Sequence, residues 1–229
     1  MDEVGKDLYP DSTFIKVPDI RNVLLSFKYE NNVVIDLIYL QVCAKASIEP
    51  LYELSEIANY TLACQRYLGA PNYYYKGMLQ HVAKFPEING EDLATVIAAL
   101  DQPEMFESLT CIDNANFDQV RHEFRRFITK MDKRNNLSFK RTPKQFDYAN
   151  DRYWDIIDFL DCLDLKRRIE IKARERLKES IRQLIVFKFV NEDDGLSGIS
   201  IAVLNKARIE AYWHLSLYCD SYLHKLPIQ

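Results

Sequence analysis

The sequence predicts a mostly α fold: a single globular bundle of about eight to ten helices, divisible into an acidic lobe over residues 19–113 and a more basic lobe over 114–229. Three observations carry this. Glycine and proline are scarce, at 6 and 8 residues in a chain of 229, whereas all-β folds need many turns built on them. Apolar residues recur at three- and four-residue spacing in several segments. From Lys144 to Asp194 there is neither glycine nor proline. That stretch reads as a very long helix or a helical hairpin, with a break favoured near Asp164 because uninterrupted helices of that length are rare without heptads.

Residues 1–18 read as an irregular arm containing Pro10 and Pro18. A first helix opens at Asp19 and carries Ile20, Val23, Leu24 and Phe27. Val33–Cys43 is apolar and β-branched, so periodicity alone admits a strand or a helix; it is read as a central helix apolar on nearly all sides. Leu51, Leu54, Ala58, Leu62 and Leu68 follow helical spacing up to Gly69, a C-cap residue. Pro71 opens a helix through Tyr74, Met78 and Val82. Leu93, Val96, Ile97 and Leu100 mark a short one after Asn89-Gly90, and Pro103 starts a turn through Phe106 and Leu109. Phe117, Val120, Phe124, Phe127 and Met131 form the sharpest amphipathic stripe. Thr142-Pro143 has the form of an N-cap followed by proline at the first helical position. Ser197 caps a last helix through Ile201, Leu204, Ala211, Leu215 and Tyr218.

At 48% hydrophobic and 28% charged residues, the chain can bury a sizeable core and is too apolar for disorder. The acidic start, Met1 to Asp7, lacks the profile of a secretory signal. The longest uncharged stretch, Gly195–Asn205, falls short of the ~20 apolar residues a membrane helix needs. Cys43, Cys64, Cys111, Cys162 and Cys219 are odd in number and far apart, without the paired spacing of a disulfide framework or zinc site. They read as reduced, mostly buried thiols of a cytoplasmic protein.

Charge is uneven: residues 1–120 carry a net −10, residues 121–188 a net +8 and residues 189–229 a net −2. Arg121, His122, Arg125, Arg126 and Lys133 lie opposite the apolar stripe, Lys130 and Arg134 belong to the same segment, and Lys140, Arg141 and Lys144 follow it. Together the arginines and lysines make the candidate binding face, suited to a polyanion or to the acidic lobe itself. The run from Lys166 to Arg182 is instead interleaved with Glu170, Glu175 and Glu179 and reads as a solvated, ion-paired helix.

No residue set specifies a catalytic centre, metal or cofactor. Asp151, Asp155, Asp158, Asp161 and Asp164 form a ladder that could hold Mg²⁺ only with a second carboxylate cluster opposite. The plainer reading puts the first three on an outer face and pairs the rest with Lys166, Arg167 and Arg168. His81, His122 and His224 lack partners at catalytic spacing. Gly195-Leu196-Ser197-Gly198-Ile199 fails G-x-S-x-G at its last position, and no phosphate-binding glycine loop occurs. At least one of Tyr73, Tyr74 and Tyr75 must be exposed on any helix.

Arg208 and His214 flank five residues, a spacing that resembles the active-site motif of the HEPN ribonucleases. In that helical family arginine and histidine assist attack of a 2′-hydroxyl on the adjacent phosphate. Ile209 departs from the family's polar preference, and the pair lies about 120° apart around a helix. The function read from all this is non-enzymatic: binding of a protein partner through a helical surface. RNA or single-stranded DNA binding by the basic face is the alternative, and a HEPN-like ribonuclease the third.

Overall fold

A computed structural model describes residues 3–6, 14–69, 72–101, 103–131, 137–148, 151–190, 195–203 and 215–221. Its architecture is mixed α/β, which overturns the helical bundle. The strands are β1 (Glu3–Lys6), β2 (Phe14–Lys16), β3 (Ile35–Leu40), β4 (Ala58–Ala63), β5 (Ser108–Asp113), β6 (Gln145–Tyr148), β7 (Asp151–Asp155), β8 (Ile185–Val190) and β9 (Ser200–Ala202). The helices are α1 (Val17–Asn31), α2 (Ile48–Leu54), α3 (Tyr75–Lys84), α4 (Gly90–Leu100), α5 (Phe117–Lys130), α6 (Ile156–Cys162), α7 (Arg168–Leu184) and, at Ser216–Ser221, α8.

The central sheet runs β3-β4-β5-β8, with β3 and β4 parallel and the other pairs antiparallel. It is covered on both faces. Leu62, Leu109 and Cys111 point to one core with Ala94, Ile97 and Ala98 of α4. Ala63 and Ile112 point to the other, with Phe124 and Phe127 of α5 and Leu177 and Ile181 of α7. Strands buried on both sides read as continuous apolar runs without alternation, and that is why Val33–Cys43 and the segment after Leu51 looked helical. The loop at residues 41–47, α2 and a turn at Ser55–Ile57 separate β3 from β4.

The glycine- and proline-free stretch is not one helix or hairpin. It holds β6, β7, α6, α7 and β8. The break near Asp164 does exist, between the end of α6 and the start of α7. Glu170 accepts the Arg167 amide proton at 3.1 Å and so closes the first turn of α7. The hairpin β6–β7, joined by β9 on the far side of β7, makes a second sheet. β9 also replaces the start of the helix expected from Ser197, and residues 204–214 lie outside the described residues. Within the stretch read as an arm, β1 and β2 pair as antiparallel strands.

The amphipathic stripe forms as expected: Phe117, Val120, Phe124 and Phe127 are buried on α5. Asn89 caps α4 by accepting from the Asp92 amide at 2.8 Å. Among the described residues, no helix is long and apolar enough to cross a membrane.

Candidate active site

In open α/β sheets, ligands bind beyond the carboxyl ends of the strands, where loops collect. Here that end gathers residues 41–47 after β3, 64–69 after β4, 105–107 before β5 and the loop at Gly195–Ile199. Backbone hydrogen bonds stitch them together. Ala44 donates to Arg66 O at 2.7 Å, Ala46 to Cys64 O at 2.9 Å, Gly69 to Met105 O at 2.6 Å and Glu107 to Tyr67 O at 3.1 Å. Gln65 joins the fourth loop, accepting from the Gly198 amide at 2.9 Å and donating to Asp155 at 3.1 Å.

Cys43 lies on the first of these loops. It is half-buried and follows β3 by three residues. Its neighbour Ala44 is buried and held at φ 58°, a left-handed conformation that is unfavourable for any residue with a Cβ and is often found at functional sites. The Cys43 sulfur meets both polar groups of Leu68: the Leu68 amide donates to it at 3.3 Å, and its thiol donates to Leu68 O at 3.3 Å. Gln41, two residues earlier, accepts from the Tyr75 hydroxyl at 2.8 Å and from Asn72 at 3.4 Å.

The other cysteines are placed differently. Burial pushes the Cys64 thiol up to about 11 and the Cys111 thiol up to about 12. It also pushes Cys162 up to about 11, with the Asp158 carboxylate beside it adding to the effect. All three stay protonated, poor nucleophiles at neutral pH. Cys219 is exposed on the short α8. Cys43 therefore combines partial access with a loop-lined setting at the sheet's carboxyl end. Of the histidines, His81 packs on Phe85 and His122 is exposed on α5; neither hydrogen-bonds to Cys43. His214 and His224 lie outside the described residues.

The model of the clostripain family, Peptidase_C11, matches residues 3–212. The chain belongs to the clostripain family. The fold agrees. A Bacteroides fragilis cysteine protease superposes with a TM-score of 0.67 at 13% identity, over 97% of this chain and 98% of that one. A clostripain from Bacteroides thetaiotaomicron in complex with the peptide inhibitor BTN-VLTK-AOMK superposes at 0.68 and 11% identity, over 95% and 98%. A secreted C11 cysteine protease from the same organism, held with an irreversible peptide inhibitor, gives 0.67 and 15%, over 95% of this chain and 66% of that one. A search of curated proteins found no match.

Membership in the clostripain family overturns the reading of a non-enzymatic interaction protein, together with its nucleic-acid and HEPN alternatives. Arg208 and His214 lie outside the described residues, as do Lys133 and Arg134 of the basic face. Several described residues of that face are engaged with groups of the chain itself. Arg121 pairs with Asp118 at 2.9 Å and Arg126 with Glu123 at 3.8 Å. Arg121 also opens on a cleft of about 230 Å³ that it and Arg21 share with Glu53, Glu56, Asp118 and Asp220, a mixed-charge lining. Arg125 and Lys130 are exposed on α5, and Lys140 on the following loop. Arg141 forks onto Asp158, whose carboxylate also accepts from the Lys144 amide at 2.7 Å, and the Lys144 ammonium reaches Gly195 O at 2.8 Å.

The aspartate ladder is likewise structural in this clostripain-family chain. Asp151 and Asp155 are buried rather than on an outer face. Asp155 caps α6 and accepts from Gln65 and from Ser197. Asp158 pairs with Arg141, Asp161 with Lys178, and Asp164 with Lys166. Among the described residues, no group of three or more histidine, cysteine or acidic side chains is placed to hold a metal ion. Of the three tyrosines, Tyr74 is buried while Tyr73 and Tyr75 are exposed.

Sequence reasoning missed Cys43. Its signal was present: once Val33–Leu40 is taken as a strand, Cys43 falls where a strand opens into its carboxyl-end loop.

Proposed function

We propose that this chain supplies the nucleophile of a cysteine peptidase and that Cys43 is that nucleophile. The observation that carries the reading is the placement of Cys43 at the carboxyl end of β3, half-accessible among four loops, in a chain of a peptidase family. The named relatives with bound peptide inhibitors support a peptide as substrate.

The chemistry follows from a thiol in that place. A base takes the Cys43 proton, and the thiolate sulfur attacks the scissile carbonyl carbon to form a C–S bond. The C–N bond then breaks, the amine leaves with a proton, and a thioester remains for water to hydrolyse, which returns the thiol. To ionise, Cys43 must let go of the Leu68 carbonyl, which accepts from the thiol and offers nothing to the thiolate. The Leu68 amide remains in place as a donor to the charged sulfur.

The test is hydrolysis of a panel of fluorogenic peptides with varied residues before the cleaved bond, run on the parent, Cys43→Ala and Cys219→Ser proteins. Cleavage by the parent and Cys219→Ser, with loss in Cys43→Ala, supports the reading. Cleavage that persists in Cys43→Ala overturns it.

A further inference from the structure

Gln41 is exposed on the loop that carries Cys43, two residues before it, so their Cα atoms lie at most ~7 Å apart. The chain that follows β4 braces both. Leu68 holds the Cys43 sulfur. Farther along, Asn72 and the Tyr75 hydroxyl both donate to the Gln41 carbonyl oxygen, at 3.4 and 2.8 Å. Tyr75 is itself held, its ring stacked on the buried Tyr74 with centroids 4.6 Å apart. With Oε1 occupied twice, Gln41 has only its Nε2 amide to offer, and that group meets no acceptor among the described residues. An oriented N–H donor therefore stands on the Cys43 loop, with the exposed Tyr75 ring next to it.

We propose that Gln41 sets the specificity of the site, selecting peptides whose residue before the cleaved bond ends in a neutral primary amide, glutamine or asparagine; this rests on the reading of Cys43 as the nucleophile. The side chain of that residue branches one bond from the carbonyl that the sulfur attacks, which brings it within reach of Gln41. A side-chain carbonyl oxygen accepts the Gln41 N–H. A lysine ammonium or arginine guanidinium brings only donors, so it meets Nε2 donor to donor and leaves water without a partner. The carboxylates on the surrounding segments do not supply one: Asp147 is engaged by Arg152 at 2.8 Å, Glu107 by Arg66 at 3.0 Å, and Asp101 is buried. Arg66 and Arg152, held in those same pairs, do not serve a carboxylate side chain either. That leaves the neutral amide as the best match.

The experiment measures kcat/KM of the whole chain on fluorogenic peptides that differ only in Gln, Asn, Glu, Leu or Lys before the cleaved bond. The parent is compared with Gln41→Glu, and Cys43→Ala serves as the blank. The parent is expected to favour Gln or Asn over Lys at least about tenfold, the scale of one hydrogen bond made against one left unmade. Gln41→Glu keeps the side chain's shape and the oxygen that Tyr75 and Asn72 hold, but replaces the donor by a carboxylate oxygen. It is expected to shift the ratio towards Lys by about tenfold or more, since an ion-paired hydrogen bond replaces a donor clash. A parent that prefers Lys, Glu or Leu overturns the proposal, as does a Gln-to-Lys ratio that Gln41→Glu leaves unchanged. In either case cleavage that is lost in Cys43→Ala keeps the nucleophile reading intact. Cleavage that persists in Cys43→Ala, or a parent that cleaves none of the peptides, removes that reading and the specificity with it.

Discussion

Leu68 grips the Cys43 sulfur with both of its backbone polar groups, each at 3.3 Å. The proposed nucleophile is thereby tied to the segment after β4, which is itself fixed to the segment before β5 through Gly69 and Glu107. Reactivity and stability should therefore separate. Cys43→Ala is expected to cost about 0.5–1.5 kcal/mol, the net worth of an ordinary hydrogen bond, while it removes the reactive thiol altogether. Chemical denaturation with alkylation mapping checks both.

The remaining cysteines give a pH-dependent contrast. In the native protein a thiol reagent at neutral pH should modify Cys43 and the exposed Cys219 and leave Cys64, Cys111 and Cys162 intact. Burial raises those three thiols to about 11, 12 and 11, so each remains the unreactive thiol until strongly alkaline pH. Mass mapping before and after denaturation checks this; early modification of Cys111 would contradict it.

Gly198 anchors the loop that closes the sheet's end. Its φ is +101°, and a Cβ there would lie 2.8 Å from Thr110 Oγ1, the hydroxyl that donates to Gly198 O at 2.9 Å. Gly198→Ala must strain the backbone and break that contact together. A loss of about 1–3 kcal/mol is expected, read as a lowered denaturation midpoint with unchanged slope.

Asp158 makes the acid limb of stability testable. Its hydrogen bond from Arg141 holds the carboxyl below the usual carboxylate range, with the Lys144 amide helping. A folded-state value below the unfolded one adds stability that is fully present above the unfolded value of about 4 and is lost as pH falls through the folded one. Asp158→Asn should therefore be less stable than the parent at pH ~7, and the difference should shrink below pH ~4. Urea titrations across that window check the sign.

How much of this was legible in the sequence depends on burial geometry. α5 showed itself because one face meets the core and the other meets solvent, so Phe117, Val120, Phe124 and Phe127 stood out at helical spacing. β3 did not, because Ile38 and Leu40 pack on one core and Leu37 and Tyr39 on the other, which erases the period-two signal. That error moved Cys43 from a strand's end into a helix and hid the candidate nucleophile. The long stretch without glycine or proline misled for a different reason: its elements change without either residue, as where Asp155 ends β7 and caps α6. The aspartates themselves are regularly spaced in sequence, yet the strand-to-helix change at Asp155–Ile156 sends them to different partners.

The most direct measurement of the central claim is the site of covalent labelling by a biotinylated peptide acyloxymethyl ketone, mapped by peptide mass spectrometry on the whole chain. The account predicts an adduct on Cys43, formed in Cys219→Ser and absent in Cys43→Ala. An adduct on another residue, undiminished by Cys43→Ala, would contradict it.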